Sequence, residues 1–181
     1  MKKKIFTSLG LMSGTSMDGV DLSVIKSDGY DEFTSIFNTY REFDKDLYKE
    51  LISIRNKISD AKDLKIYSND LDDVEKKFTL FNGKIISEVT QNIKEEIDLI
   101  GFHGQTIFHN SKDKISKQLG DGKLLSILMR KIVVNNFRKN DLNNGGQGAP
   151  LTPIFHNLIS RLIKYNFNIE FPVSIINIVG H

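Results

Sequence analysis

The sequence predicts a mixed α/β domain: a five-stranded sheet with helices packed against it. Three observations predict it. The chain opens with three short strand-like runs joined by polar turns. Two stretches with apolar steps of three or four residues follow. Two brief apolar runs then alternate with helical segments, as α/β layering requires.

The first strands read over Lys4–Leu11, Val20–Lys26 and Glu32–Arg41, with Ser27-Asp28-Gly29 as the second turn. Connections this short make an antiparallel meander. Leu47, Leu51, Ile54 and Ile58 form one helical stripe. Leu71, Val74, Phe78, Phe81, Ile85, Val89 and Ile93 form a longer one. Both are core-facing surfaces and carry no chemistry. Ile97–Phe102 reads as a short buried strand, Leu124–Arg130 as a short helix and Ile132–Asn135 as another strand. Residues Phe137 to Pro150 read as a polar loop. Thr152–Lys164 reads as a helix, with Thr152 as cap and Pro153 in the tolerated first turn. Phe171–Val179 reads as a last apolar strand.

Composition sets further bounds. The chain has 181 residues, 39% hydrophobic and 27% charged, with a net charge of +2. That suits a globular protein and gives no bulk electrostatic reason to expect a nucleic-acid or membrane partner. The lysine excess over arginine is offset by well-mixed acidic residues, and no aromatic RNA-binding motif accompanies it. Cysteine is absent, which excludes disulfides and thiolate sites and fits a cytoplasmic protein. Lys2-Lys3-Lys4 before Ile5–Met12 has the outline of a signal peptide. Thr7, Ser8 and Gly10 interrupt the apolar run, and no small-residue cleavage site follows, so a buried first strand is expected. No segment approaches the roughly 18 apolar residues of a membrane span.

Three polar loops follow strands: Ser13–Gly19, His103–Thr106 and Arg138–Gly148. Ligands of open α/β sheets collect beyond strand ends, so the three are expected to share one cleft. In the first, Gly14, Thr15, Ser16, Met17, Asp18 and Gly19 place two glycines, two hydroxyls and a carboxylate within six residues. Such a loop brings N–H groups and hydroxyls close to a phosphate, with Asp18 near the accompanying metal. A glycine-containing hairpin turn that binds nothing is the alternative. In the second, His103, Gln105 and Thr106 offer the mixed donors and acceptors a sugar needs. The alternative is a strand-end histidine bonded to a backbone carbonyl. In the third, Arg138 can hold a carboxylate or phosphate and Asp141 can act as a general base. A solvated loop is the alternative, although glycines at 145, 146 and 148 weigh against it. The histidines at 103, 109, 156 and 181 lack zinc-ligand spacing, and no Gly-x-Ser-x-Gly elbow is present.

Taken together, Gly10–Asp21 (GLMSGTSMDGVD), Gly101–His109 (GFHGQTIFH), Gln118–Asp121 (QLGD) and Val133–His156 (VVNNFRKNDLNNGGQGAPLTPIFH) resemble the anhydro-N-acetylmuramic acid kinases in order and spacing. The resemblance implies a ribonuclease-H-like domain of the actin, sugar-kinase and heat-shock ATPase superfamily. It implies ATP and Mg2+ as cofactors and 1,6-anhydro-N-acetylmuramic acid as substrate. Ring opening by water and phosphorylation of the 6-oxygen would yield N-acetylmuramic acid 6-phosphate in cell-wall recycling. By motif, Gly14, Thr15, Ser16, Met17, Asp18, Gly19, Val20 and Asp21 would form the ATP phosphate loop. His103, Gln105, Thr106 and Arg138 would bind substrate, and Asp141 would activate water. A homodimer is a further implication.

Four positions depart from the family pattern: Asn136, Asn140, Gly122 and Lys131 replace a usual acidic, basic, proline and glycine residue. The usual second phosphate loop, asparagine-isoleucine-glycine-glycine, reads Asn177-Ile178-Val179-Gly180 here. The resemblance spans almost the whole chain but about the N-terminal half of such an enzyme. Residues 1–170 are expected to be the N-terminal kinase domain, and 171–181 the start of a second. Alone, the chain is expected to be a catalytically silent, truncated fragment, poorly soluble through its last strand.

Overall fold

A computed structural model describes residues 4–168, 170 and 172–175. They fall into two compact units, one ending at Gly148 and the other beginning at Ala149. In the first unit, β1 (Phe6–Met12), β2 (Gly19–Ser27) and β3 (Phe33–Glu42) form the expected antiparallel meander. Then come α1 (Lys45–Lys57), α2 (Asp63–Ile66) and α3 (Ser68–Asn92). β4 (Leu99–Phe102) leads into β5 (Gln105–Asn110) and β6 (Ile115–Leu119). α4 (Gly122–Met129), β7 (Ile132–Val134) and α5 (Phe137–Asn143) complete the unit. The second unit holds α6 (Pro153–Phe167), where Thr152 precedes Pro153 without making a side-chain cap bond.

The main sheet has the order β3-β2-β1-β4-β7, with β4 parallel to both β1 and β7. This is the predicted five-stranded mixed sheet. Alternation puts Leu9, Leu11, Leu22, Val24, Ile100 and Phe102 on a buried face. The two helical stripes supply its partners: Leu47, Leu51 and Ile54 from α1, and Leu71, Val74, Phe78, Ile85 and Val89 from α3. Phe78 stacks on Phe102 with ring centroids 5.9 Å apart, which ties α3 to the strand that leads into the second loop.

Three expectations differ from the structure. His103–Thr106 is only partly a loop, because Gln105 and Thr106 open β5 of a separate two-stranded ribbon. Gly104 makes the sharp exit from β4 possible: its φ is +76°, and any Cβ there would run into the Leu119 carbonyl. Arg138 and Asp141 stand on helix α5 rather than on an open loop. That helix has seven residues and one buried side chain, Leu142, so no apolar stripe announces it. Of the strand predicted over Phe171–Val179, residues 172–175 carry no strand and the rest lies outside the described residues.

Candidate functional site

The parallel core of the sheet decides where the loops emerge. Leu11 pairs with Phe102, and Gly101 with Val134, so β1, β4 and β7 end at one edge. The His103 N–H extends this pairing by donating to the Leu11 carbonyl at 3.1 Å. The loop after β1, the start of β5 and helix α5 all leave from this edge. It is the carboxyl edge, where open α/β sheets hold ligands.

The first loop is fastened from inside. Met17 adopts a left-handed φ of 58°, its N–H donates to the Gly14 carbonyl at 3.3 Å, and its side chain is wholly buried in the core. Val20 is buried in the same core, so neither side chain can meet a ligand. Gly19 is glycine because a Cβ would strike the Arg41 carbonyl and the Tyr40 ring of the neighbouring strand. Asp21 lies exposed on β2, opposite Met12. Thr15, Ser16 and Asp18 are exposed, and Gly14 is half-buried. The Ser16 hydroxyl donates to Asp18 Oδ1 at 2.7 Å. That bond first, with help from loop N–H groups and the Tyr40 hydroxyl, holds the Asp18 carboxyl below its usual range despite some desolvation. Burial, and then the Asp18 charge, pushes the Tyr40 phenol up.

The second segment clasps the first. Gln105 is fully buried, and its Nε2 donates to the Gly14 carbonyl at 2.9 Å. His103 Nδ1 lies 2.8 Å from the Gly104 carbonyl, and Nε2 lies 3.0 Å from Arg138 Nη2. A guanidinium only donates, so Nε2 is the acceptor and Nδ1 carries the proton. Burial lowers the His103 pKa, and the Arg138 charge lowers it further against the pull of the Gly104 carbonyl. Burial also lowers that of Arg138. Thr106 Oγ1 accepts from Gln118 Nε2 at 3.3 Å and stands apart from this group.

The third segment is built around Asp141. The Gly148 N–H donates to Asp141 Oδ2 at 2.7 Å, and the Gly146 N–H donates to the Asp141 backbone carbonyl at 2.8 Å. A Cβ on Gly146 would collide with the Asp141 carboxylate. Gly145 and Gly148 take φ values of +89° and +71°, which glycine adopts at little cost. The glycine-rich turn therefore wraps the acid of its own helix. Arg138 Nη1 closes the circuit by donating to the Gly148 carbonyl at 2.9 Å.

Two linkages thus join the predicted residues. Gln105 binds Gly14, and a chain runs His103–Arg138–Gly148–Asp141. A family profile described as anhydro-N-acetylmuramic acid kinase matches residues 6–175. The chain belongs to that family. A kinase of this family from Pelagibacter ubique (strain HTCC1062) is 55% identical over 178 residues, covering 98% of this chain and 46% of the relative. One from Rhodopseudomonas palustris (strain BisB18) is 32% identical, covering 96% of this chain and 47% of its own length. Another, from Agrobacterium fabrum, is 33% identical, with 98% and 48% covered. The chain spans about half the length of the curated relatives it matches.

Membership of an anhydro-N-acetylmuramic acid kinase family agrees with the sugar-kinase type of sheet. It also sharpens what the sequence reading missed. Ser13 is 3% exposed, and its hydroxyl is buried with no hydrogen-bond partner; the same holds for Gln105 Oε1. Such orphaned groups cost stability unless a ligand or movement satisfies them. No spacing rule singles out Ser13. The Gln118–Asp121 motif is structural: Asp121 caps α4, its N–H bonds Thr79 Oγ1, and the Gly120 N–H bonds Glu75 Oε1. Among the described residues, no cluster of three or more His, Asp or Glu could hold a metal. Mg2+ in kinase sites needs only one or two carboxylates beside the phosphates, and ionised, exposed Asp18 fits that requirement. Among the described residues no helix is long and apolar enough to cross a membrane.

Proposed function

We propose that this chain carries the sugar- and phosphate-binding part of an ATP-dependent cytoplasmic kinase. Its substrate is 1,6-anhydro-N-acetylmuramic acid and its product N-acetylmuramic acid 6-phosphate, within cell-wall recycling. The observation that carries this reading is the carboxylate of Asp141, held by Gly148 at the carboxyl edge of the parallel strands. Family membership supplies the reaction class.

With Oδ2 occupied by the Gly148 N–H, Asp141 Oδ1 takes the proton from water as the oxygen attacks the anomeric carbon. The bond from that carbon to the 6-oxygen breaks, and the 6-oxygen keeps the electron pair. This oxygen is then the nucleophile toward the γ-phosphorus of ATP. Gly14, Thr15 and Ser16 offer main-chain N–H groups and hydroxyls to the phosphates. Asp18 would hold Mg2+, whose role is to neutralise charge on the phosphate oxygens. His103 and Gln105 shape the sugar side, and Thr106 is the remaining hydroxyl for a sugar contact. The protein's contribution is positioning and charge stabilisation.

Calorimetric titration of the protein, as the cell produces it, with the anhydro sugar tests binding. Mass spectrometry after adding ATP and Mg2+ tests chemistry. Saturable sugar binding is expected, with a product heavier than the substrate by one water and one phosphoryl group. Absence of sugar binding, or a phosphorylated product that keeps its anhydro bridge, overturns the proposal.

A further inference from the structure

We propose that Arg138 is a positioning residue for Asp141 and does not grip substrate; the inference rests on reading Asp141 as the base. The guanidinium is half-buried and already committed. Nη2 donates to His103 Nε2 at 3.0 Å, and Nη1 donates to the Gly148 carbonyl at 2.9 Å. Its Nε is buried without a partner. A fork engaged in this way cannot offer the paired donors that bidentate capture of a carboxylate or phosphate needs.

What it holds instead is one residue that faces two ways. The Gly148 carbonyl accepts from Arg138, while the Gly148 N–H donates to Asp141 Oδ2 at 2.7 Å. Gly148 sits at φ +71°, where an added Cβ would stand 3.0 Å from Leu142 Cγ and 3.2 Å from His109 Cε1. Its orientation is therefore tightly defined, and the arginine pins it from the carbonyl side. Arg138 and Asp141 are i and i+3 on α5 and so share a helix face. Their hydrogen-bonded connection runs through the turn. His103, whose own N–H is paired to β1, anchors the other end of the guanidinium to the sheet. The outcome is a brace from the central strands to the carboxylate.

The test compares the wild-type protein with Arg138→Gln and Arg138→Lys. Hydrogen exchange at the Gly148 amide and the 15N resonance of His103 Nε2 are read without any substrate. In Arg138→Gln, Gly148 exchange is expected to quicken at least tenfold, and Nε2 to lose its hydrogen-bonded shift. In turnover, kcat is expected to fall roughly 10- to 100-fold, the scale of a misplaced catalytic group, with the sugar KM changed less than about twofold. Arg138→Lys keeps one donor, and is expected to restore part of both signals and to serve if the glutamine variant does not fold. Unchanged Gly148 exchange overturns the inference. So does a sugar KM raised tenfold or more at constant kcat, because that marks a substrate anchor. If the wild-type protein phosphorylates no sugar, the kinase reading fails while the exchange and 15N measurements still decide the role of Arg138.

Discussion

Gly146→Ala is a direct test of how closely Asp141 must be placed. The substitution adds one methyl group, and Gly146 has no positive φ that alanine would resist. The new Cβ would stand 2.5 Å from Asp141 Oδ1 and closer still to the rest of the carboxylate. Real Cβ contacts start near 3.0 Å and become ordinary at 3.4 Å, so Oδ1 must retreat by about 0.5 to 0.9 Å. The carboxylate is the far end of an exposed side chain, so it can yield while the helix stays folded. A displacement approaching 1 Å at a reacting group costs up to about 10²-fold in rate. The expectation is therefore a 10- to 100-fold fall in kcat for ring opening and phosphorylation, with ATP affinity within about twofold. Steady-state kinetics on the protein as the cell produces it provides the assay, and the thermal midpoint provides the folding control. A Gly146→Ala protein with wild-type turnover would show that the position of Asp141 does not set the rate.

Other outcomes follow from the same geometry. Asp141→Asn should lower turnover by roughly 10²–10⁴-fold, the range for a lost general base, with ATP binding nearly unchanged by calorimetry. Gln105→Leu leaves the Gly14 carbonyl without its buried donor, and should cost about 1–3 kcal/mol in a urea titration. The pKa of His103 is lowered in the fold, by burial and then by Arg138, from an ordinary value of 6.5. The unfolded chain therefore takes up the proton first, so this share of stability is complete above that value and is lost as the pH falls below it. His103→Gln should flatten the fall in thermal midpoint between about pH 7 and pH 5; an unchanged slope would remove His103 from the acid response.

Regular packing was legible because it repeats. The stripe from Leu71 to Val89 became α3, and the alternation in Leu9, Leu11, Leu22 and Val24 became the buried sheet face. The ribbon β5–β6 was not, because it opens on a fully buried glutamine, and a polar residue at a buried position breaks the apolar signature. Helix α5 hid for a different reason, having one buried residue, Leu142, in its whole length. Within the site, residue types were legible and partners were not. Gln105 reaches Gly14 across 91 positions, a pairing made by the parallel strands rather than by any local spacing. Met17 and Val20 fell inside a loop read as ligand-binding, yet their side chains belong to the core, because an apolar residue in a glycine-rich loop still seeks burial.

The two glycine-rich segments look alike in sequence and differ in use, and the difference lies in what each one encloses. Ser13–Gly19 leaves its hydroxyls and Asp18 facing outward, because Met17 and the Gln105 clasp hold the loop from the inside. The turn at Gly145–Gly148 faces inward, because the Asp141 carboxylate fills the space a side chain on Gly146 would take. A carboxylate gains more from an N–H donor than a neutral acceptor does, so the acid organises the turn as much as the turn organises the acid. A helix as short as α5 has little rigidity of its own. Bonds to its neighbours therefore have to fix the acid before a ligand arrives, and those bonds lead back through Gly148 and Arg138 to His103 at the end of β4. The same chemistry that makes the segment look like a phosphate loop in sequence, bare N–H groups on glycines, is spent here on a carboxylate that the protein itself supplies.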